Sequence, residues 1–382
     1  MPNADVYSGS LDASGNVVLT GDLLSPGIIF GHDTLVNHGL LNFYTVKYDS
    51  GGNVLWARSA GGSISDRSNC LAPDASGNVY VTGFFKSPSI SFGSYTLINQ
   101  AMNNGDVFLV KYNKDGDVVW AQRAGGSDDD VGQSVAVDSS GNVYLAGYFL
   151  SPYIVFGTDT MRNLNYPAYT CDIFLVKFDS DGNVIWAKCE GGMKWDIPYS
   201  VAIDRWGNVC VTGSFNSPEI SFGSWTLTNT GNNSVIFTVK YDPGGNVLWA
   251  AGSSEASSDV GNSACSDPAG NVCISGIFYG GSVSFSPFTI TNSGKADIFL
   301  LKYAPGGNVL WATGAGGQYE DREHAISADE DGNVYVAGGF NSPSLVFGPD
   351  TLTNAYGGAN GFADIFVAKY SSDGQALWAK KA

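Results

Sequence analysis

A chain of 382 residues is long enough for one large domain or two ordinary ones; its 50 glycines, 13% aromatic and 14% charged residues suit short strands and tight turns rather than long solvated helices. A formal charge of -17 repels nucleic-acid phosphates and anionic lipid surfaces, which excludes nucleic acid as a partner. No apolar stretch approaches the ~18 residues of a membrane span, so no membrane insertion is expected, and Met1 to Tyr7 shows no export leader.

Along the chain the elements repeat. Trp56, Trp120, Trp186, Trp249, Trp311 and Trp378 each open a Trp-Ala phrase, at intervals of 64, 66, 63, 62 and 67 residues. A Gly-Asn step at Gly15, Gly77, Gly141, Gly207, Gly270 and Gly332 keeps the same spacing. These landmarks delimit six copies, approximately 1–62, 63–126, 127–192, 193–253, 254–317 and 318–382.

The third copy shows the unit. Ser134 to Asp138 predicts a strand A, and Ser139-Ser140-Gly141 a three-residue hairpin loop whose last position needs the left-handed conformation that glycine adopts without strain. Asn142 to Phe149 follows as strand B, then a variable insert, then Asp172 to Phe178 as strand C. A turn at Asp181-Gly182 leads into Asn183 to Cys189 as strand D. Strand C is apolar on both faces, as a blade sandwiched between blades requires, and neither end of the chain carries a distinct polar cap. The expectation is an all-β, six-bladed β-propeller spanning 1–382 as a single domain, with four antiparallel strands per blade and B–C inserts on one rim.

The phrases Ser-Val-Ala-Val-Asp-Ser-Ser-Gly-Asn-Val-Tyr at 134–144 and Asp-Ile-Phe-Leu-Val-Lys at 172–177 resemble the SBBP-type bacterial β-propeller repeats and, more loosely, NHL-type blades. The resemblance runs along nearly the whole chain. It implies a four-stranded blade and a secreted or cell-surface bacterial setting, and it names no biochemical activity.

The strand order places the B–C inserts and the D-to-A loops on one rim, where a rigid scaffold presents variable loops for binding. On that rim an Asp recurs eight positions before the A–B turn Asp: Asp66, Asp130, Asp196, Asp259 and Asp321, with Ala4 at that spacing in the first copy. Asp128 and Asp129 thicken the cluster at Asp130. Such a ring would hold cations or basic groups; alternatively each Asp accepts hydrogen bonds from its own loop, the role that repetition favours. Trp195 and Trp225 break the repeat and offer stacking faces for a sugar, whereas Trp206 lies in an A–B turn on the other rim. The recurring Trp of strand D reads better as packing between blades.

No cofactor is called for. Ca²⁺ is the one candidate ion, from turns such as Asp179-Ser180-Asp181-Gly182-Asn183, but these lack the bidentate Glu of a calcium loop. His32, His38 and His324 are the only histidines and have no metal-ligating spacing, and no Gly-x-Ser-x-Gly elbow occurs. The leading expectation is a non-catalytic module that binds a partner or serves as a scaffold; a carbohydrate-binding lectin is the alternative, and a glycan hydrolase or lyase the third reading. The partner is a protein or a glycan.

Two further expectations concern pairs. In all six copies a strand C lysine (Lys47, Lys111, Lys177, Lys240, Lys302, Lys369) and an A–B turn aspartate (Asp12, Asp74, Asp138, Asp204, Asp267, Asp329) lie toward the tight-turn rim, two strand spacings apart, and are expected to pair. Cys265 with Cys273, and Cys171 with Cys189, flank hairpins at offsets that would allow cross-strand disulfides after export.

Overall fold

A computed structural model describes residues 4–254, 257–358 and 361–382. The chain divides into two compact units, Met1–Glu190 and Gly191–Ala382, with three blades in each. Every blade is a four-stranded antiparallel sheet in the order A-B-C-D, and the blades are those of the expected all-β, six-bladed β-propeller fold.

In the third blade strand A is Asp130–Val137, strand B Val143–Phe149, strand C Asp172–Phe178 and strand D Val184–Glu190. The A–B loop closes as its sequence requires: the Asp138 amide donates to Asn142 O, the Gly141 amide donates to Asp138 O, and Gly141 takes φ +82°. The first and last blades each draw all four strands from their own copy, Ser8–Leu11 to Val54–Ala60 and Asp321–Ala328 to Ala376–Lys381, so neither sheet mixes the two chain ends.

The core lies between blades, as the two-faced apolar strands demand. Phe43 and Trp56 of blade 1 pack with Leu71, Val81 and Phe108 of blade 2. In the second unit, Ile298 and Leu300 of blade 5 pack with Val336, Phe340 and Phe366 of blade 6. The strand D tryptophans act in packing, and their indole N–H groups also reach the next blade's C–D turn: Trp56 donates to Lys114 O at 3.0 Å, Trp120 to Ser180 O at 3.1 Å, Trp249 to Pro305 O at 2.9 Å and Trp311 to Ser372 O at 3.0 Å.

The insert is not irregular. Each begins with a small two-stranded hairpin, such as Tyr153–Phe156 with Asp159–Arg162, so a blade has six strands in two sheets. The phrase that builds it recurs as Ser-Pro-x-x-x-Phe followed by Thr and Asn, seen in Ser151 to Phe156, Thr160 and Asn163. Its Phe enters the interblade core, where Phe156 meets Phe174 at 5.0 Å between ring centroids and Phe347 meets Phe366 at 5.0 Å. Its Asn donates from Nδ2 to the carbonyl that ends strand B, as Asn99 does to Phe85 O at 2.9 Å and Asn354 to Phe340 O at 3.0 Å.

The expected Lys–Asp pairs form directly in blades 1, 4, 5 and 6: Lys47–Asp12 at 2.8 Å, Lys240–Asp204 at 2.9 Å, Lys302–Asp267 at 2.7 Å and Lys369–Asp329 at 3.1 Å. Three of these ammonium groups also donate to a glycine carbonyl in the next blade's A–B turn, Gly77, Gly270 and Gly332, which ties blade to blade. The strand B residue between the partners decides the geometry. Where it is Val18, Cys210 or Cys273 the lysine reaches past it. Where it is Tyr80 the phenol donates to Asp74 instead, and Lys111 turns to Ser180 O at 2.8 Å while lying over the Tyr80 ring. Blade 3 has the same Tyr144–Asp138 bond. In blade 6 the aspartate takes both Tyr335 and Lys369.

The register expected for the two cysteine pairs holds for one and not for the other. Cys265 and Cys273 are direct cross-strand partners, both as free thiols. Cys189, however, stands opposite Phe174, three residues from Cys171, because the register set by the C–D turn and the bulge between Lys177 and Phe178 brings that residue opposite it.

Candidate functional site

The aspartates of the insert rim are buried anchors. Asp130 is fully buried at the start of strand A, accepting from Ser151 Oγ at 2.7 Å and from the amides of Gly126 and Ser151. Asp66 does the same with Ser87 Oγ at 2.7 Å, Asp196 with Ser217 Oγ at 2.7 Å and Asp321 with Ser342 Oγ at 2.7 Å. Each serine is the Ser-Pro serine that opens the insert, 21 residues on, so the bond fixes where the insert leaves the sheet. Blade 5 has Gly280 at the serine position, and Ser257 fills the place from the other side, donating to Asp259 at 2.7 Å. The Ser-Pro phrase after strand B was the signal in sequence for this partner.

Burial pushes Asp130 up to about 7 and Asp196 up to about 6, against the hydrogen bonds that favour their charged forms, and it raises Asp321 as well. These groups therefore serve the scaffold. Asp129 is similarly engaged, accepting from the Gly105 amide at 2.7 Å and pairing with Lys86 at 2.8 Å. Asp128 accepts from Ser127 Oγ. The acidic turns spend their carboxylates in the same way, Asp179 on Asp181 N, Asn183 N and Asn183 Nδ2.

Trp195 and Trp225 are exposed, at 40% and 42%, and belong to different elements of blade 4. Trp195 sits in the loop entering strand A, where its carbonyl accepts from the Asn216 amide; Trp225 opens the second strand of the insert hairpin, Trp225–Thr228. Trp206 packs against Gly270 of the next blade's turn, with the Arg205 guanidinium over its ring.

In both units the most exposed large apolar side chains lie on the inserts and D-to-A loops. Leu40, Met102, Leu164, Tyr169, Tyr356 and Phe362 all lie on B–C inserts, and Met193 on a D-to-A loop, with Met102, Tyr356 and Phe362 at 80%, 78% and 83% exposure. The buried Asp–Ser and Asn–carbonyl bonds hold the base of each insert, while these side chains stand out beyond it.

Among proteins of known sequence, the chain is 26% identical over 343 residues to an uncharacterized WD repeat-containing protein L264 of Acanthamoeba polyphaga mimivirus, covering 75% of this chain and 24% of that protein. It is 34% identical over 141 residues to the regulatory protein FlaEY of Caulobacter vibrioides, covering 36% of this chain and 14% of that protein. The chain thus spans a quarter or less of the curated relatives it matches. Among solved structures it is similar to the β-propeller domain of the trilobed protease from Pyrococcus furiosus, with a TM-score of 0.44, 9% identity and coverage of 100% and 96% of the two chains. A protein of unknown function from Bacteroides caccae aligns with a TM-score of 0.43 at 10% identity, over 89% of this chain and 90% of that one. Residues 119–148, from strand D of blade 2 through the first hairpin of blade 3, match the SBBP family model, a beta-propeller repeat, and the same strand and turn positions recur in the other blades: the chain carries the SBBP β-propeller repeat.

Proposed function

We propose that this chain is a non-catalytic binding or scaffolding module of a secreted or surface-displayed protein, and that it engages a protein partner through its B–C inserts. The observation that carries this reading is the concentration of exposed Met, Leu, Tyr and Phe side chains on inserts whose bases are pinned by buried hydrogen bonds. Solvent-exposed apolar groups of this kind mark association surfaces, and rigid anchoring lowers the entropy lost when they are covered. The carboxylates that would otherwise suggest chemistry on this rim are taken up in anchoring the inserts.

Photo-crosslinking residues placed at Met102 and at Tyr169 test the reading on intact cells, with the tight-turn position Ser76 as control. The expected result is one shared crosslinked protein from both insert positions and none from Ser76. Crosslinking only from Ser76 would overturn the assigned surface, and recovery of the chain solely inside cells would overturn the setting.

A further inference from the structure

The residue three positions after the strand D Trp stands beside the insert hairpin, and in several blades its side chain bonds a neighbour there. In blade 2 this is Arg123, whose Nε pairs with Asp106 at 2.7 Å; in blade 3 Cys189 donates to Arg162 O, and in blade 6 Lys381 bonds Thr353 O. Blade 5 has Gly314 at this position, but Ile290 of its hairpin occupies the space, its Cγ2 2.4 Å from where a Cβ would stand.

Blade 4 lacks both fillings. Gly252 takes the position of Arg123, and the atoms nearest to a Cβ there would be Ile236 O at 3.2 Å and the Leu227 side chain at 3.6 Å. Val235 takes the position of Asp106, Asp172 and Asp297, which accept from the amides of Gln100, Leu164 and Ser293. The matching Thr230 amide in blade 4 therefore lacks the carboxylate that its counterparts bond. The result is a cavity of about 370 Å³.

Its walls combine Thr226, Thr228, Thr230 and Ser253 with an apolar floor of Phe215 and Leu227. Gly252 and Ser254 continue into a second recess of about 290 Å³ against the blade 5 hairpin, lined by Ser284, Ser286, Phe288 and Thr289. Among the described residues no ionisable side chain lines either recess, although the chain as a whole carries a charge of -17. Thr226 shares a bond with Ser221, Ser284 with Thr289, and Ser253 Oγ accepts from the Ile236 amide, yet each hydroxyl keeps a further donor or acceptor position. Such groups, set around apolar surface, match a neutral ligand that is itself hydroxylated on its edges and apolar on its faces.

We propose that the paired recesses of blades 4 and 5 bind a neutral oligosaccharide, one sugar ring seated over Leu227 and the next beside Phe288. This site is separate from the insert surface assigned to a protein partner. Trp225, one residue from Thr226, provides a fluorescence report on occupancy.

The test titrates the intact chain with cellotriose, chitotriose and maltotriose, and with a sialylated trisaccharide as the charged control, followed by calorimetry and tryptophan emission. At least one neutral trisaccharide is expected to bind at concentrations below about 10 mM, with the sialylated one weaker. Gly252→Arg, which copies Arg123 of blade 2, should weaken that binding by about tenfold or more, and so should Thr228→Arg, which copies Arg162 of blade 3 and leaves the backbone at Gly252 untouched. No binding of any neutral trisaccharide, preference for the sialylated one, or unchanged affinity in a folded Thr228→Arg variant would overturn the proposal. Crosslinking at Met102 and Tyr169 is read separately, so either conclusion can fail without the other.

Discussion

Glu323 gives a pH-dependent term in the second unit. It lies on strand A of blade 6, opposite Gly338, at 1% exposure, and burial pushes its carboxyl up to about 8 although the neighbouring Asn262 side chain favours the charged form. Its two oxygens have no hydrogen-bond partner within ordinary geometry, so Asn262 offsets the desolvation only in part. An acid raised in the folded state keeps its proton there while the unfolded chain releases it from about 4.5 upward, so this group's penalty is absent below pH 4.5 and grows as pH rises toward 8. At pH 7 the separation costs roughly 2.5 pH units at about 1.4 kcal/mol each, or about 3 kcal/mol. Glu323→Gln keeps the shape and removes the titration. The variant should match the native chain at pH 4.5 and exceed it by about 3 kcal/mol at pH 7, read from urea midpoints at intervals of pH. Other raised carboxylates such as Asp130 cancel in the difference between the two proteins. A difference that stays flat from pH 4.5 to 8 would refute the assignment of an only partly compensated buried carboxyl.

The buried pair Lys302–Asp267 and the partly exposed pair Lys369–Asp329 should respond differently by denaturant unfolding: Lys302→Met leaves a buried carboxylate and costs about 3–5 kcal/mol, whereas Lys369→Met costs clearly less. Trp56→Phe keeps most of the apolar contact but strands Lys114 O, and should lower stability by about 1–2 kcal/mol in the same assay. Cys265 and Cys273 should close by exchange with oxidised glutathione, leaving four titratable thiols, slowly at neutral pH because the Cys273 thiol and burial hold the Cys265 thiol above its ordinary range; six free thiols after prolonged exchange would refute it.

The sequence by itself determined the blade. Alternation on strands B and C, the Asp-x-x-Gly-Asn loops and the spacing of the strand D tryptophans are local or periodic features, and each follows from turn chemistry or from the need to bury both faces of a sheet. The Lys–Asp pairs were legible for the same reason, since both partners recur in every copy at fixed strand positions. Tertiary structure alone decided what depends on a third residue. Tyr80 on the intervening strand diverts Lys111 from Asp74, and the pairing of strands C and D moves Cys189 away from Cys171. Repetition favoured anchoring over ligand binding for the rim aspartates, but their partner lay out of local reach: the Ser-Pro serine, 21 residues away, takes Asp66, Asp130, Asp196 and Asp321, and Ser257 takes Asp259 in blade 5. The blade 4 cavity was least legible, because it is made by two absences, a side chain at Gly252 and a carboxylate at Val235, and the space they leave exists only where strand D and the insert hairpin are packed together.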